Sequence, residues 1–296
     1  MKDQNNCDNK TGLTRRQWCG ASASVALAGS ALLGSTQSTQ AQNVAENRFR
    51  YGLNMSTISG QRLDAAEQIE IAGKAGYDSI EPWFRDIYKY VEKGGTLKDL
   101  KIRIEDQGLS VDSAIGFAQW IVNNSEKRAA GMEEAKRDMD TIAQLGGTRI
   151  AAPPAGGNKK DLVTLDDAAL RYRELLKLGE SMGVTPQIEM WAGSPVIGTV
   201  EKAIYIAMAA GHKNACFLGD VYHTYKGGSS FASLLQLGPH CLQTYHMNDY
   251  PADPPQDQIK DKHRVFPGDG VAPLTCLLYT SPSPRDQRGS RMPSSA

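Results

Sequence analysis

The chain has 296 residues, of which 40% are hydrophobic and 22% charged, so it is long enough for one large domain and ordinary in composition for a folded protein. Lys and Arg together number 33, as do Asp and Glu, so no net charge attracts nucleic acid or an anionic membrane surface. None of the five cysteines lies in a C-x-x-C arrangement, which argues against the common zinc and redox motifs.

The first 41 residues predict a signal peptide of the twin-arginine class. Arg15 and Arg16 precede an apolar run, residues 21–33, that is rich in Ala, Gly and Ser, and small residues for cleavage follow at 39–41. A short membrane anchor is the alternative, but the run is short and weakly apolar for a span of about 20 residues. We therefore expect a periplasmic or secreted protein with no membrane attachment after cleavage.

Apolar, strand-like runs alternate with stretches of helical periodicity between residues 48 and 275. Helices are predicted over Asp64–Ala75, which Gly76 ends, and over Met132–Leu145, before Gly146. The predicted strands are Tyr51–Met55, Tyr77–Ile80, Leu109–Ile115, Thr148–Ala152, Val184–Met190, Ala215–Gly219 and Cys241–Met247.

This alternation predicts a parallel α/β sheet with right-handed crossovers, either an open doubly wound sheet or a closed barrel. The stretch 48–275 approaches the roughly 250 residues of a complete eight-unit barrel. We therefore predict one domain over residues 48–275, a (β/α)8 TIM barrel whose eighth unit is missing from this chain.

The last 21 residues, 276–296, differ abruptly from what precedes them. They show no helical or strand period, are rich in Ser, Pro and Arg, and resemble the translation of a transposon-based sequencing adapter. A disordered basic tail is the alternative. If the tail is non-native, the natural sequence diverges after Thr275, where the eighth unit is expected. Of the cysteines within the barrel, Cys216 and Cys241 allow a single bridge, although buried free thiols are the expected state.

Three metal-ligand residue types stand at the ends of three consecutive predicted strands. Glu189 follows the fifth strand's apolar run, Asp220 the sixth and His246 the seventh. In a barrel such ends share one opening, where active sites form. Two carboxylates and an imidazole suit Mn²⁺, Mg²⁺, Co²⁺ or Zn²⁺. Each residue has an ordinary alternative: a rim ion pair for Glu189, a helix cap for Asp220 and a core histidine for His246.

Strand ends reading IEMW, LGDVYH and YHMNDY, with a later loop reading RVFPGDG, resemble the xylose isomerase-like superfamily over about residues 50–275. That group includes sugar-phosphate isomerases and epimerases, ketose 3-epimerases, hydroxypyruvate isomerase and inosose dehydratase. The resemblance implies a divalent metal, Mn²⁺ first, held by Glu189, Asp220 and His246. A fourth ligand, a Glu on the eighth strand, has no counterpart here, so the resemblance implies an incomplete site and leaves the activity of the truncated chain open.

The same resemblance implies a proton-abstraction reaction on a small sugar or keto-sugar, through an enediolate. Glu189 would be both ligand and general acid/base, His223 would hydrogen-bond a substrate oxygen, and Arg264 would reach substrate from the loop after the seventh strand, unless it is a surface charge. Glu81 and Trp83, after the second strand, are predicted sugar contacts at the rim, with rim packing as the alternative. Asn248 and Asp249, next to His246, are predicted to orient that ligand.

Three other functions stay open. An exported lyase or hydrolase of 3-keto-glycosides would use the same site, and a carbohydrate-binding barrel would bind sugar without turnover. An apurinic endonuclease-like enzyme would need three zinc ions and histidines from early strands, but no histidine precedes His212. We expect a small-molecule substrate and no nucleic acid; a homo-oligomer is not excluded.

Overall fold

Seven parallel strands, in chain order, form the wall of a TIM barrel in the part of the chain that this computed structural model describes, residues 49–280. β1, β2 and β3 pair with one another, and β4 to β7 form a second series. The N–H of Ala151 donates to the carbonyl of Ala114 over 2.8 Å and joins the two series. The strands are β1 (Gly52–Asn54), β2 (Ser79–Glu81), β3 (Ser110–Val111), β4 (Arg149–Ala152), β5 (Thr185–Glu189), β6 (Phe217–Asp220) and β7 (Leu242–His246).

The helices follow the strands as the alternating pattern predicts, with two helices between β2 and β3. Short 3₁₀ helices occupy Met55–Gln61, Phe231–Gln236 and Asp261–His263. The α-helices are α1 (Ala65–Lys74), α2 (Phe84–Glu92), α3 (Leu97–Asp106), α4 (Ser125–Gln144), α5 (Leu165–Met182), α6 (Val200–Ala209), α7 (Val221–Lys226) and α8 (Leu274–Thr280). Over the described residues, no helix is long and apolar enough to cross a bilayer.

Local signals explain where the helices begin and end. Asp64 and Glu67 form a capping box at the start of α1, and Gly76, at φ 81°, follows its end as predicted. The predicted helix over 132–145 begins earlier, at Ser125, because Asn124 caps it by accepting a hydrogen bond from the N–H of Lys127. The first turns of this helix are polar, so the sequence showed no apolar periodicity there and the predicted start was too late.

The strands match their predicted positions within a few residues, and β3 differs most. The prediction spanned Leu109–Ile115, but only two residues pair as strand; Ile115 then rejoins the wall through an isolated parallel bridge to Trp83. The main apolar core lies between strands and helices, and a small separate cluster consists of Ile115, Ala151 and Leu218. Alternation along β6 puts Asp220 on the same side of the wall as Leu218.

The last two strands differ in burial. All four residues of β6 are buried, whereas every residue of β7 is half-buried or exposed. Cys216 and Cys241, beside the starts of these strands, are free thiols, as expected. The missing eighth unit and the boundaries at residues 41, 48 and 275 stay predictions. The leader and most of the tail lie outside the described residues.

Candidate active site

Four ionisable side chains stand at the carboxyl ends of four strands. Glu81 ends β2, Glu189 ends β5, Asp220 ends β6 and His246 ends β7. The three carboxylates are at most 6% exposed, and the His246 side chain is 17% exposed. Buried charges are costly unless other groups compensate them, so such a concentration marks a site rather than ordinary core packing.

His246 makes the shortest contact within this group. Its Nε2 lies 2.7 Å from Oε2 of Glu81, and its Nδ1 lies 3.8 Å from Oδ2 of Asp220. Burial alone would lower the pKa of His246, but the charge and hydrogen bond of Glu81, with Glu189 and Asp220 nearby, raise that pKa to about 9. For Glu81, burial opposes ionisation, yet His246 and the hydrogen bonds that the carboxylate accepts bring its pKa below the ordinary value.

Glu189 is the least readily ionised carboxyl of the group. Burial raises its pKa to about 7, and the negative charges of Glu81 and Asp220 add to the effect. His246 and a hydrogen bond from the side chain of Trp191 act in the opposite direction. Glu189 is therefore close to the protonation balance that a general acid/base at neutral pH requires.

Asp220 is both a helix cap and a member of the site. Its Oδ1 accepts the backbone N–H of His223 over 2.7 Å at the start of α7, which confirms the capping alternative. Its Oδ2 accepts a hydrogen bond from the amide of Asn248 over 2.8 Å and lies 3.6 Å from a guanidinium nitrogen of Arg264. The cap holds the carboxylate in place, and the second oxygen remains directed at His246.

His223 and Arg264 border the site. Nδ1 of His223 accepts the N–H of Ala192 over 3.3 Å, so the neutral ring carries its proton on Nε2; burial is the main reason that its pKa is lowered. Arg264 donates to Asp261 over 2.9 Å and stacks 5.0 Å over the ring of Tyr222. Arg264 is thus tied to the site by Asp220 rather than free on the surface.

The two predicted rim contacts have different surroundings. Glu81 is buried against His246, so it lies beneath the rim and not on it. Trp83 is half-buried, and its ring lies 5.3 Å from that of Phe117, which lies 6.0 Å from Trp191. These three aromatic side chains form a row, which we call the aromatic row.

Sequence reasoning missed Phe117 and Trp191. A signal for Trp191 was present, since Glu-x-Trp occurs at both Glu81-Pro82-Trp83 and Glu189-Met190-Trp191. The repeat places an indole two residues beyond a site carboxylate on each of two strands. Phe117 offers no such pattern, and its 40% exposure on a loop is visible only in the structure.

Asn248 and Asp249 differ from the prediction that they orient His246. Asn248 binds Asp220 and also accepts the N–H of Tyr222 over 2.8 Å. Asp249 is 1% exposed, and its carboxylate accepts four backbone N–H groups at 2.8–3.2 Å. Consecutive residues point in different directions, so adjacency to His246 did not imply contact with it. The four donors are the amides of Tyr250, Gly268, Gly270 and Ala272.

A cavity of about 870 Å³ lies beside His223. One side consists of Ala192, Gly193 and the start of α7, and the other of the loop residues Pro254 and 257–263. Small-molecule sites commonly measure about 300–1,000 Å³, so this cavity has room for a ligand larger than one sugar ring.

The side chains of the site are of types that suit a divalent cation, although they do not form a ready ligand cluster. Within residues 49–280, no group of three or more His, Cys, Asp or Glu side chains is arranged as a ready ligand cluster. The donor types nevertheless fit, because two carboxylates and an imidazole suit hard or borderline divalent ions. Nδ1 of His246 faces Oδ2 of Asp220 at 3.8 Å without a hydrogen bond, a gap that two bonds of about 2.0–2.2 Å to one ion can span.

Comparisons with known proteins agree with this architecture. A family model described as "xylose isomerase-like TIM barrel" matches residues 69–280. None of the curated proteins compared with the chain matches it.

Several solved structures are similar in fold. The IolI protein with a bound zinc atom has a TM-score of 0.72 at 23% identity, covering 78% of this chain and 84% of its own. The 3-keto-D-glucoside 4-epimerase YcjR from E. coli has 0.62 at 22%, covering 79% and 87%. D-psicose 3-epimerase, crystallised in the presence of D-fructose, has 0.62 at 17%, covering 78% and 80%. Identities this low establish the fold alone.

Proposed function

Because this chain belongs to the xylose isomerase-like TIM-barrel family, we propose that it is a divalent-metal-dependent isomerase or epimerase that moves a proton next to the carbonyl group of a sugar. The observation that carries the proposal is the meeting of Glu189, Asp220 and His246 at adjacent strand ends, with Nδ1 of His246 facing Asp220. The similar structures include sugar epimerases, which supports a sugar substrate for this chain.

Glu189, Asp220 and His246 would hold the ion, with Mn²⁺ the first candidate and Mg²⁺, Co²⁺ or Zn²⁺ the others. The zinc atom in the IolI structure supports a metal in this fold. When bound, such an ion polarises a carbonyl group and stabilises negative charge on neighbouring oxygens. Asn248 and the cap of α7 keep Asp220 in position, so its carboxylate needs little reordering to bind.

The remaining chemistry belongs to the side chains of this chain. Glu189 takes the proton from the carbon beside the carbonyl, leaving an enediolate, and returns it to the neighbouring carbon in an isomerisation. Epimerisation of the same carbon would need a second proton donor on the opposite face of the enediolate, the role that the resemblance gives to a glutamate on the eighth strand. The Nε2–H of His223 and the guanidinium of Arg264 donate hydrogen bonds to substrate oxygens as charge develops on them. The aromatic row offers apolar faces at which the C–H face of a sugar can pack.

A second candidate function uses the same site but gives a different product. The cavity of about 870 Å³ beside His223 favours a substrate with more than one ring, such as a 3-keto-glycoside. Proton abstraction by Glu189 next to the keto group would then be followed either by epimerisation or by departure of the aglycone. Incubation with a 3-keto-glycoside separates these functions, since lysis releases free aglycone and epimerisation does not.

Solvent isotope exchange tests the proposed reaction. The full chain would be incubated in D₂O with Mn²⁺ and a panel of ketoses and 3-keto-glycosides, and the sugars examined by NMR. We expect deuterium at the carbon next to the carbonyl, none after EDTA treatment, and none with Glu189→Gln. Absence of exchange with every sugar, in a protein that binds Mn²⁺, would leave the binding-barrel alternative; absence of Mn²⁺ binding would contradict the proposed site itself.

We also propose that the enzyme acts in the periplasm or outside the cell. The support is the twin-arginine pattern of residues 1–41, which lie outside the described residues. Fractionation of cells that express the full chain tests this, with a substitution of Arg15 and Arg16 by lysine as the control. A protein that stays in the cytoplasm in both forms would contradict export.

A further inference from the structure

A continuous series of hydrogen bonds connects Trp83 to His246. Nε1 of Trp83 donates to Oδ1 of Asn54 over 3.0 Å, and Nδ2 of Asn54 donates to Oε2 of Glu81 over 2.6 Å. The same carboxylate oxygen lies 2.7 Å from Nε2 of His246. We call Trp83, Asn54 and Glu81 the tryptophan relay. It connects the aromatic row with His246, a candidate metal ligand that is distant from Trp83 in the sequence.

The orientation of the Asn54 amide sets the direction of the relay. Three donors converge on its Oδ1: the backbone N–H of Ser56 at 3.0 Å, the hydroxyl of Ser56 at 2.8 Å, and the indole of Trp83. The two N–H groups can only donate, so a flipped amide would place donors against donors. The amide nitrogen of Asn54 must therefore face Glu81.

This direction determines which nitrogen carries the proton in the neutral ring of His246, the form that binds a metal ion. An ionised carboxylate only accepts hydrogen bonds, so Oε2 of Glu81 accepts from Asn54 and from Nε2 of His246. With Nε2 protonated, Nδ1 is the nitrogen that points towards Asp220. Histidines that bind metals commonly donate their other N–H to a carboxylate in this way.

We infer that Trp83, Asn54 and Glu81 are positioning residues that hold the ring of His246 with its Nδ1 turned towards the cation. Glu81 then serves His246 rather than a sugar, whereas Trp83 combines its indole hydrogen bond to Asn54 with the ring face proposed for sugar. The part of this inference that concerns the cation rests on the proposed function. The part that concerns the ring does not, because it rests on the hydrogen bonds among the four side chains.

The metal-free protein tests the ring assignment directly. With ¹⁵N-labelled histidine in the full chain, measured above pH 9 where the ring of His246 is neutral, and with His246→Asn used to assign the signal, we expect the ¹⁵N shifts of a ring that is protonated on Nε2 and bare at Nδ1. Glu81→Gln should shift this signal strongly, and Trp83→Phe, which keeps a ring but removes the indole N–H, should shift it less. A bare Nε2, or an identical signal in wild type and Trp83→Phe, would overturn the relay.

Phe117→Leu is the matched control, because Phe117 packs on Trp83 but makes no relay hydrogen bond. We expect its His246 signal to equal that of the wild type. A shift as large as that of Trp83→Phe would mean that packing, and not the hydrogen-bond series, holds the ring. Glu81→Gln and Trp83→Phe are both near-isosteric and act at opposite ends, so loss of folding in one leaves the other to decide.

Cobalt binding tests the consequence for the ion. Titration of the metal-free proteins with Co²⁺, followed by visible absorption, should give an affinity about 10–100-fold weaker for Glu81→Gln than for wild type. Trp83→Phe should be weakened by a smaller factor, and Phe117→Leu unchanged. Wild-type affinity in Glu81→Gln would overturn the inference, whereas no Co²⁺ binding by the wild type would count against the proposed function and leave the NMR result to judge the relay.

Discussion

Glu189 and Asp138 are buried carboxyls in two regions of the barrel, and burial is the main cause of the raised pKa in both. The pKa is about 7 for Glu189 at the strand ends and about 6 for Asp138 on α4. Their neighbours differ. Asp138 accepts a hydrogen bond from the hydroxyl of Tyr88 and lies near Arg137, on the helix layer. Glu189 lies among Glu81, Asp220 and His246.

The comparison shows that a raised pKa by itself reports only desolvation. At Asp138 a tyrosine hydroxyl satisfies the carboxylate, and its charged neighbours Glu134 and Arg137 belong to the same helix, so this cluster is structural packing between helices. At Glu189 the surrounding charges create a place where a cation and a polar substrate can bind. The neighbours, and not the pKa, distinguish the two regions.

Neutralising each carboxyl in turn tests whether Glu189 takes part in the reaction and Asp138 does not. Glu189→Gln should lower the rate of deuterium exchange by roughly 10²–10⁴-fold, since it removes the proposed base. Asp138→Asn should leave that rate unchanged. Both rates come from the NMR assay described above. Equal losses in the two variants would mean that Glu189 acts through stability rather than chemistry.

A second contrast concerns the dependence of stability on pH. Because the folded pKa of Asp138, about 6, lies above its unfolded value, the folded state binds the extra proton first. The free energy of unfolding should therefore rise as the pH falls from about 7 towards 4, by on the order of 2 kcal/mol from this group. Asp138→Asn should be more stable than wild type at pH 7.5 and should lose that advantage near pH 4.5.

Urea denaturation at the two pH values measures this difference. Metal-free protein should be used, so that the ion does not enter the comparison. Arg137→Gln is a suitable control, because Arg137 is exposed and lies 4.0 Å from Asp138. A loss of stability in Asp138→Asn that is larger at pH 7.5 than at pH 4.5 would show that the carboxylate, and not its neutral form, is the stabilising species.

Two substitutions of Asp220 distinguish its role as a helix cap from its proposed role as a metal ligand, with smaller expected changes in stability. Asp220→Asn keeps an acceptor for the N–H of His223 but turns an amide donor towards that of Asn248, whereas Asp220→Ala also loses the cap, so its free energy of unfolding should be lower by about 1 kcal/mol more. Both variants should bind Co²⁺ more weakly. If Asp220→Asn bound Co²⁺ like the wild type, Asp220 would be a cap alone, comparable with Asp138 as a structural carboxyl.

The fold and three candidate ligands were predictable because they depend on local signals. The period of the apolar residues revealed the alternation, and Glu189, Asp220 and His246 stand directly at strand ends. The pairing of Glu81 with His246 joins residues that are 165 positions apart. It arises from curvature of the wall, which no sequence period encodes. The true role of Asp249 was hidden for a related reason, since its partners are backbone amides around Gly268 and Gly270.

The backbone amides around Asp249 explain why the RVFPGDG motif has glycine at two positions. Gly268 has φ 97°, which favours glycine, and a Cβ on Gly270 would lie 2.3 Å from a carboxylate oxygen of Asp249. In the sequence this motif indicated only a family resemblance. In the structure it is the part of the loop that wraps around one buried carboxylate.

The two-way backbone bridge between Asp249 and Val265, at 3.1 and 3.0 Å, closes residues 250–264 into a loop whose base is fixed independently of its interior. Because closure entropy grows only slowly with loop length, insertions at its exposed positions, away from the buried Tyr250 and Ile259, should cost little. Arg264 stands at that base, while the interior forms a wall of the cavity beside His223. The segment is separate from the strand ends that carry Glu189, Asp220 and His246, so replacing its exposed part changes the lining of the cavity and leaves those three side chains in place.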